Sequence, residues 1–167
     1  MSEYHVILGT GPVGCWIART LRSQDFQVRA INRSGNRPAL MPDDVQLVAA
    51  DASDPEQAVE QAKDAAVIYE ALNPPYNRWH ELFPDLQAGA IAAARTAEAR
   101  YVSIENLYMY DSAQPMVEDS PVQPRSKKGE LRAQMADEVM AAHQRGEIQA
   151  AGTSSNSSQE LTNMLFP

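Results

Sequence analysis

Three glycines at fixed spacing are the residues best suited to chemistry in this chain. Residues 5–14 read His-Val-Ile-Leu-Gly-Thr-Gly-Pro-Val-Gly, a short apolar run that passes straight into Gly9-x-Gly11-x-x-Gly14. A helical pattern from Pro12 to Leu21 follows at once, with Val13, Trp16, Ile17 and Leu21 on its apolar face. In that setting Gly9 permits a tight turn, Gly11 lets a pyrophosphate approach the backbone, and Gly14 lets the helix pack close to the strand. The first amides of the helix have no intrahelical partner. They sit at the positive end of its dipole, where phosphate binds well. Pro12 suits the first turn, because its missing N–H costs nothing there. The candidate phosphate cradle is therefore Gly9, Thr10, Gly11, Pro12, Val13 and Gly14.

A nicotinamide dinucleotide and S-adenosylmethionine both use a glycine loop of this kind, and the second strand helps to separate them. Residues 27–33 are Gln-Val-Arg-Ala-Ile-Asn-Arg, and Ser34 follows. The residue about 20 positions beyond the loop sets ribose recognition. An Asp or Glu there would accept from both ribose hydroxyls and favour NAD, and methyl-donor sites usually need such an acid too. Asn32, Arg33 and Ser34 stand there instead. A guanidinium meets phosphate through a planar fork. The expected cofactor is NADP in preference to NAD, with Arg33 and Ser34 on the 2′-phosphate and Asn32 nearby. The competing reading of Arg33 is a solvated side chain in a turn.

Ligands of open parallel sheets bind outside the C-terminal strand ends. The third such end carries Asp51-Ala52-Ser53-Asp54. Asp51, with Ala52 beside it, is placed to meet the adenine amino group. Alternatively Ser53 or Asp54 caps the helix that begins near Pro55, and for Asp54 capping is favoured. The fourth end, Asn73-Pro74-Pro75, either lines the nicotinamide side or makes a plain turn. The fifth runs into Glu105-Asn-Leu-Tyr108-Met-Tyr110, where an extended backbone would put both tyrosines on one side. Arg125-Ser-Lys127-Lys128-Gly129 then opens a helix. A lysine there binds a ribose and lowers a phenol's pKa, or is merely a solvated basic turn. Tyr108 and Lys128 are the catalytic candidates.

These sites need a sheet to hold them. Apolar strand patterns at 5–9, 27–32, 46–50, 66–72, 100–105 and 147–151 alternate with helical patterns at 12–23, 55–63, 79–97 and 128–144. Trp79, Leu82, Phe83 and Leu86 mark the core face of the third helix, and Leu131, Met135, Val139 and Met140 that of the fourth. The expected fold class is α/β: one doubly wound parallel sheet (Rossmann fold) in the order 3-2-1-4-5-6, a single domain over residues 1–151. Residues 152–167 are expected to form a polar, poorly ordered tail.

Composition narrows the partners. A formal net charge of −8 over 167 residues disfavours nucleic acid and anionic membranes. The one cysteine, Cys15, allows no internal disulfide and fits a reducing compartment. Without a signal peptide or long apolar span the expected location is cytoplasmic. The expected partner is a small-molecule substrate; no metal site is expected, and a homo-oligomer is left open.

Taken together, Gly9-Thr-Gly11-Pro-Val-Gly14, Asn32-Arg33-Ser34, Asp51-Ala-Ser-Asp54, Asn73-Pro-Pro-Tyr-Asn-Arg-Trp79, Glu105-Asn-Leu-Tyr-Met-Tyr110 and Glu118-Asp-Ser-Pro121 resemble the extended short-chain dehydrogenase/reductase superfamily. The likeness is to its atypical, NAD-dependent epimerase/dehydratase-like members, and it covers about residues 4–150. It implies a Rossmann domain binding NADP or NAD, with chemistry at the end of strand five. The chain departs from the pattern at the superfamily's Tyr-x-x-x-Lys pair. The residue four before Lys128 is Pro124, the residue four before Lys127 is Gln123, and Asn106 or a neighbour stands where a catalytic serine is usual. The superfamily's substrate lobe is expected to be absent or truncated here. The function expected is an NADP-binding atypical short-chain reductase or nucleotide-sugar-epimerase-like oxidoreductase. The alternative is a non-catalytic NADP-binding regulatory module or a truncated relic of the same fold.

Overall fold

In the computed structural model, which describes residues 4–111, 113, 115–117 and 120–152, alternating apolar strands and helices assemble as one parallel sheet. Its strands are β1 (Tyr4–Leu8), β2 (Gln27–Asn32), β3 (Gln46–Ala49), β4 (Ala65–Glu70), β5 (Arg100–Ser103) and β6 (Gln149–Gly152). Their order is β3-β2-β1-β4-β5-β6, so the chain reverses direction across the sheet between β1 and β4. That switch point opens a crevice at the C-terminal strand ends. The tail expected over 152–167 lies outside the described residues from 153 onward.

Among the described residues, four α-helices cover the sheet. Helix α1 (Pro12–Arg22) packs Cys15, Ala18 and Leu21 onto Ile7, Ala30, Tyr69 and Val102. On the other face α2 (Pro55–Ala62), α3 (Trp79–Ala97) and α4 (Lys127–Gln144) pack onto Val6, Leu8, Ile68 and Tyr101. Burying each large side chain is worth about 1.5–3 kcal/mol, so the alternation along each strand fixes which face each helix covers. Local signals set the helix starts. Asp54 accepts from the Glu56 and Gln57 amides and Pro55 follows it, as capping requires. Ser126 accepts from the Gly129 amide at the start of α4. No helix among the described residues is long and apolar enough to cross a membrane.

Three expectations need correction. The buried face of α1 is Gly14, Cys15, Ala18 and Leu21, with Ile17 partly buried against the same cluster as expected, while Val13 and Trp16 are exposed. Trp16 is 60% exposed, with the Arg19 guanidinium over its ring, because two positions from Gly14 and Ala18 it lies on the face of the helix turned away from the sheet. On α4, Met140 is exposed, while Leu131, Met135 and Val139 are buried as expected. β4 and β5 end at Glu70 and Ser103, earlier than 72 and 105, because the chain leaves the sheet there to line the crevice.

Candidate cofactor site

The glycine loop is built by close approaches. Gly9 leaves β1 with φ +101, and a Cβ on it would stand 2.6 Å from the Ala71 carbonyl oxygen. A Cβ on Gly14 would stand 2.0 Å from the Gly9 carbonyl oxygen, so the first turn of α1 lies against the loop itself. Gly11 is different. It is the N-cap of α1, its φ of −66 suits any residue, and a Cβ there would meet nothing within 4 Å. No protein contact requires glycine at position 11, and the helix's leading amides border the open space beside it. A phosphate group fits that cradle. Cys15 is buried beneath it, its thiol donating to the Thr10 carbonyl at 3.4 Å, and burial pushes the thiol's pKa up.

Asn32 ties the end of β2 to this loop. Its amide nitrogen donates to Thr10 Oγ1 at 2.8 Å and to the Asn36 carbonyl at 3.0 Å. Its carbonyl oxygen accepts from the Gly35 amide at 2.7 Å and from Ser34 Oγ at 3.2 Å. Asn32 therefore organises the turn that presents Arg33 and Ser34, both exposed. Thr10, Asn32, Arg33, Ser34 and Arg37 line a hollow of about 460 Å³. Arg37, absent from the sequence argument, donates to the Pro42 and Val45 carbonyls at 2.5 and 2.9 Å and braces the following loop.

Asp51 closes an Asx turn, accepting from the Ser53 amide at 3.0 Å and from Ser53 Oγ at 2.7 Å. Those bonds hold its carboxyl below the usual range, and the charge of Arg33 adds to the effect. Ala52 is buried beneath α3, where a Cβ on Gly89 would come within 2.0 Å of the Ala52 carbonyl.

The other end of the crevice is a pocket of about 300 Å³ between α1 and the ends of β4 and β5. Val13, Asn73, Trp79, Tyr108, Glu105 and Arg132 line it. Trp79 Nε1 donates to the Pro74 carbonyl at 3.1 Å, so Asn73-Pro74-Pro75 is more than a plain turn: it is tied to the start of α3. Trp79 meets Tyr76, Phe83 and Tyr108 edge-on, with ring centres 5.1, 5.2 and 5.5 Å away. Lys128 Nζ stands 3.9 Å from the centre of the Tyr76 ring.

The tyrosines do not share a side, because residues 107–109 form a 3₁₀ turn. Tyr108 faces the pocket, while Tyr110 forms an antiparallel bridge with Val122. A hydrogen bond with Tyr76 raises the Tyr108 pKa, and the charge of Lys128 opposes that shift. A Cβ on Gly129 would stand 2.4 Å from the Tyr108 carbonyl oxygen, so the start of α4 presses on the 107–109 turn. Tyr108 lines the pocket, and Lys128 stands over the neighbouring Tyr76 ring, whose centre lies 6.3 Å from that of Tyr108; Lys127 is exposed.

Sequence reasoning missed the pocket's inner wall. Arg132 and Glu105, both buried, pair at 2.5 Å, and the guanidinium carbon lies 4.7 Å above the Phe83 ring. Behind them the Tyr101 hydroxyl donates to the buried Glu70 carboxylate. Burial, reinforced by the Glu105 charge, pushes the Glu70 pKa up to about 7, against the Tyr101 hydrogen bond and the Arg132 charge. One signal was available. Lys128 and Arg132 lie four residues apart, the spacing of Tyr-x-x-x-Lys, and so share a helix face.

A family model described as NAD(P)H-binding matches residues 9–147. No curated protein matches the chain. Among solved structures, a short-chain dehydrogenase/reductase superfamily protein from Agrobacterium tumefaciens with bound NAD is 18% identical, with a TM-score of 0.71 over 90% of this chain and 48% of that one. A UDP-galactose 4-epimerase is 16% identical, with a TM-score of 0.75 over 90% and 55% of the two chains. The UDP-glucose 4-epimerase of Thermus thermophilus in complex with NAD is 12% identical, with a TM-score of 0.74 over 90% and 54%. The chain spans about half the length of these structures. It belongs to the NAD(P)H-binding family and shares the Rossmann fold of these structures.

Proposed function

We propose that the protein binds NADP and acts as an atypical short-chain reductase or nucleotide-sugar-epimerase-like oxidoreductase on a small-molecule substrate. The observation that carries this reading is the open cradle at Gly11, where a Cβ would meet nothing within 4 Å outside its chain neighbours and its own helix. Thr10, Gly11, Pro12, Val13 and Gly14 border the pyrophosphate there, with Gly9 making the turn. Arg33 and Ser34 take the 2′-phosphate from the turn that Asn32 organises. Asp51 and Ala52 lie on the adenine side, and Asn73 on the nicotinamide side.

When bound, NADP supplies hydride exchange at its nicotinamide C4. The chain's own residues orient the substrate and handle the proton. The aromatic wall of Trp79 and Tyr108 excludes water from one side of the pocket. The Tyr108 hydroxyl is the group that gives or takes a proton; its hydrogen bond with Tyr76 raises its pKa and keeps the phenol protonated, and the Lys128 charge opposes that shift only in part.

The rival is a non-catalytic NADP-binding module. What favours it is that Lys128-x-x-x-Arg132 stands at the spacing where a phenol and a free lysine are usual, with Arg132 already committed to Glu105. Calorimetric titration with NADPH and NADH tests the binding, and tighter binding of NADPH is expected. NADPH consumption with a panel of aldehydes, ketones and nucleotide sugars then separates the two readings. Equal affinities would overturn the cofactor assignment, and binding without turnover would select the module.

A further inference from the structure

We propose that Glu70 sets the preference between oxidised and reduced cofactor, holding a proton beside the reduced form and surrendering it beside the oxidised one. The proposal rests on the cofactor reading above, and its basis is a count of buried charges. Glu70 at the end of β4, Glu105 just beyond β5 and Arg132 on α4 put two carboxylates and one guanidinium in a single wall. Arg132 is matched one to one with Glu105. Glu70 is left with the Tyr101 phenol as its partner.

Among the described residues the neighbouring elements add no second cation facing Glu70. Across β4, the residues in register with Glu70 are Leu8 on β1 and Ser103 on β5. The buried side of α3 carries Phe83, Gln87 and alanines. The charged groups that meet it there are the Arg132 guanidinium over Phe83, already paired with Glu105, and the Glu138 carboxylate of α4, which accepts from Gln87. Ionised, Glu70 is an uncompensated buried negative charge, which is costly; protonated, it leaves the wall neutral. Its pKa near neutrality agrees with that balance.

Glu105 and Arg132 line the pocket that Val13 of the glycine loop also lines. An oxidised nicotinamide ring carries one positive charge and a reduced ring carries none. A cation entering this pocket is the charge the wall lacks. Linkage then requires that oxidised cofactor expel the Glu70 proton, and that raising the pH favour oxidised over reduced cofactor by the same free energy.

The test is calorimetry with NADP⁺ and NADPH at pH 7, in buffers of different ionisation enthalpy. Both forms carry a 2′-phosphate that titrates near pH 6, so the difference between them isolates the ring charge. NADP⁺ is expected to release up to one more proton than NADPH. Its affinity relative to NADPH is expected to rise by up to about tenfold per pH unit below the Glu70 midpoint and to level off above it. Glu70→Gln is expected to bind both forms with that difference gone. Tyr101→Phe keeps the carboxyl but loses its donor, so the rise should move to higher pH. Carboxyl-carbon NMR of the free protein should show one Glu titrating near pH 7, lost in Glu70→Gln. An equal pH response for the two forms, or a difference that survives in Glu70→Gln, overturns the inference while leaving the cofactor reading standing. Binding of neither form overturns both.

Discussion

Gly11 and Gly14 belong to one motif, yet their surroundings predict opposite responses to the same substitution. The Cβ of a valine at 11 meets no atom within 4 Å beyond its chain neighbours and its own helix, and the backbone there already has φ −66. Its cost to the fold is that of an aliphatic N-cap, about 1 kcal/mol, or roughly 2–4 °C in Tm for a domain of this size. Its cost to binding is larger, because the isopropyl group fills the space of a phosphate. Each charge-assisted hydrogen bond lost is worth about 1.5–3 kcal/mol. Losing two weakens NADPH by about 100-fold or more. At position 14 the Cβ would stand 2.0 Å from the Gly9 carbonyl oxygen, a contact of backbone against helix that cannot be relieved by a rotamer. Gly14→Val is therefore expected to cost about 3 kcal/mol, roughly 6–12 °C. Thermal melts and calorimetric titration of both variants check this. A Gly11→Val protein that melts normally and binds NADPH and NADH with unchanged affinity would show that the loop is only a turn.

Arg33→Ala is expected to weaken NADPH about tenfold or more while leaving NADH unchanged, measured by calorimetry; an equal loss for both would place the guanidinium away from the 2′-phosphate. Tyr108→Phe is expected to leave NADPH affinity intact and lower turnover about 10²–10⁴-fold on any substrate found; unchanged kcat would remove the phenol from the proton path. Glu70→Gln is expected to gain stability relative to the parent as the pH rises. The folded protein keeps the Glu70 proton until about pH 7, whereas the unfolded chain releases it near 4.5. The parent's stability from this group is fully present below pH 4.5 and lost as the pH rises through 7, by up to about 3 kcal/mol. A melting difference between the two proteins that is the same at pH 5 and pH 8 would refute it.

The sheet was legible because its signals are local. Apolar runs of strand length alternate with helical patterns, and the strand order follows from that alternation. Asp54 before Pro55 announces a helix start, and the structure has one there. The face of α1 was not legible, because the large apolar residues Val13 and Trp16 dominate the pattern while Gly14 and Ala18 make the contact. Size is the wrong measure where a helix lies close to a sheet. The inner wall of the pocket was hidden for a different reason. Nothing in the sequence marks Glu70, Glu105 and Arg132 as a buried group, since residue type does not reveal burial. They meet only because β4 and β5 end side by side and α4 crosses above them.

The same crossing explains how the proton-handling pair proposed above could be positioned without the usual motif. In Tyr-x-x-x-Lys both groups come from one helix, and their separation is fixed by the helical repeat. Here Lys128 comes from α4 and Tyr108 from the 3₁₀ turn before it, so only tertiary contact can fix their separation. Gly129 supplies that contact, since any side chain at 129 would strike the Tyr108 carbonyl oxygen at 2.4 Å. Trp79 supplies the second restraint, packing edge-on against both Tyr108 and the Tyr76 ring on which Lys128 rests. The geometry of the pair therefore depends on a glycine and a tryptophan that carry no proton. A search for a tyrosine four residues before a lysine passes over both.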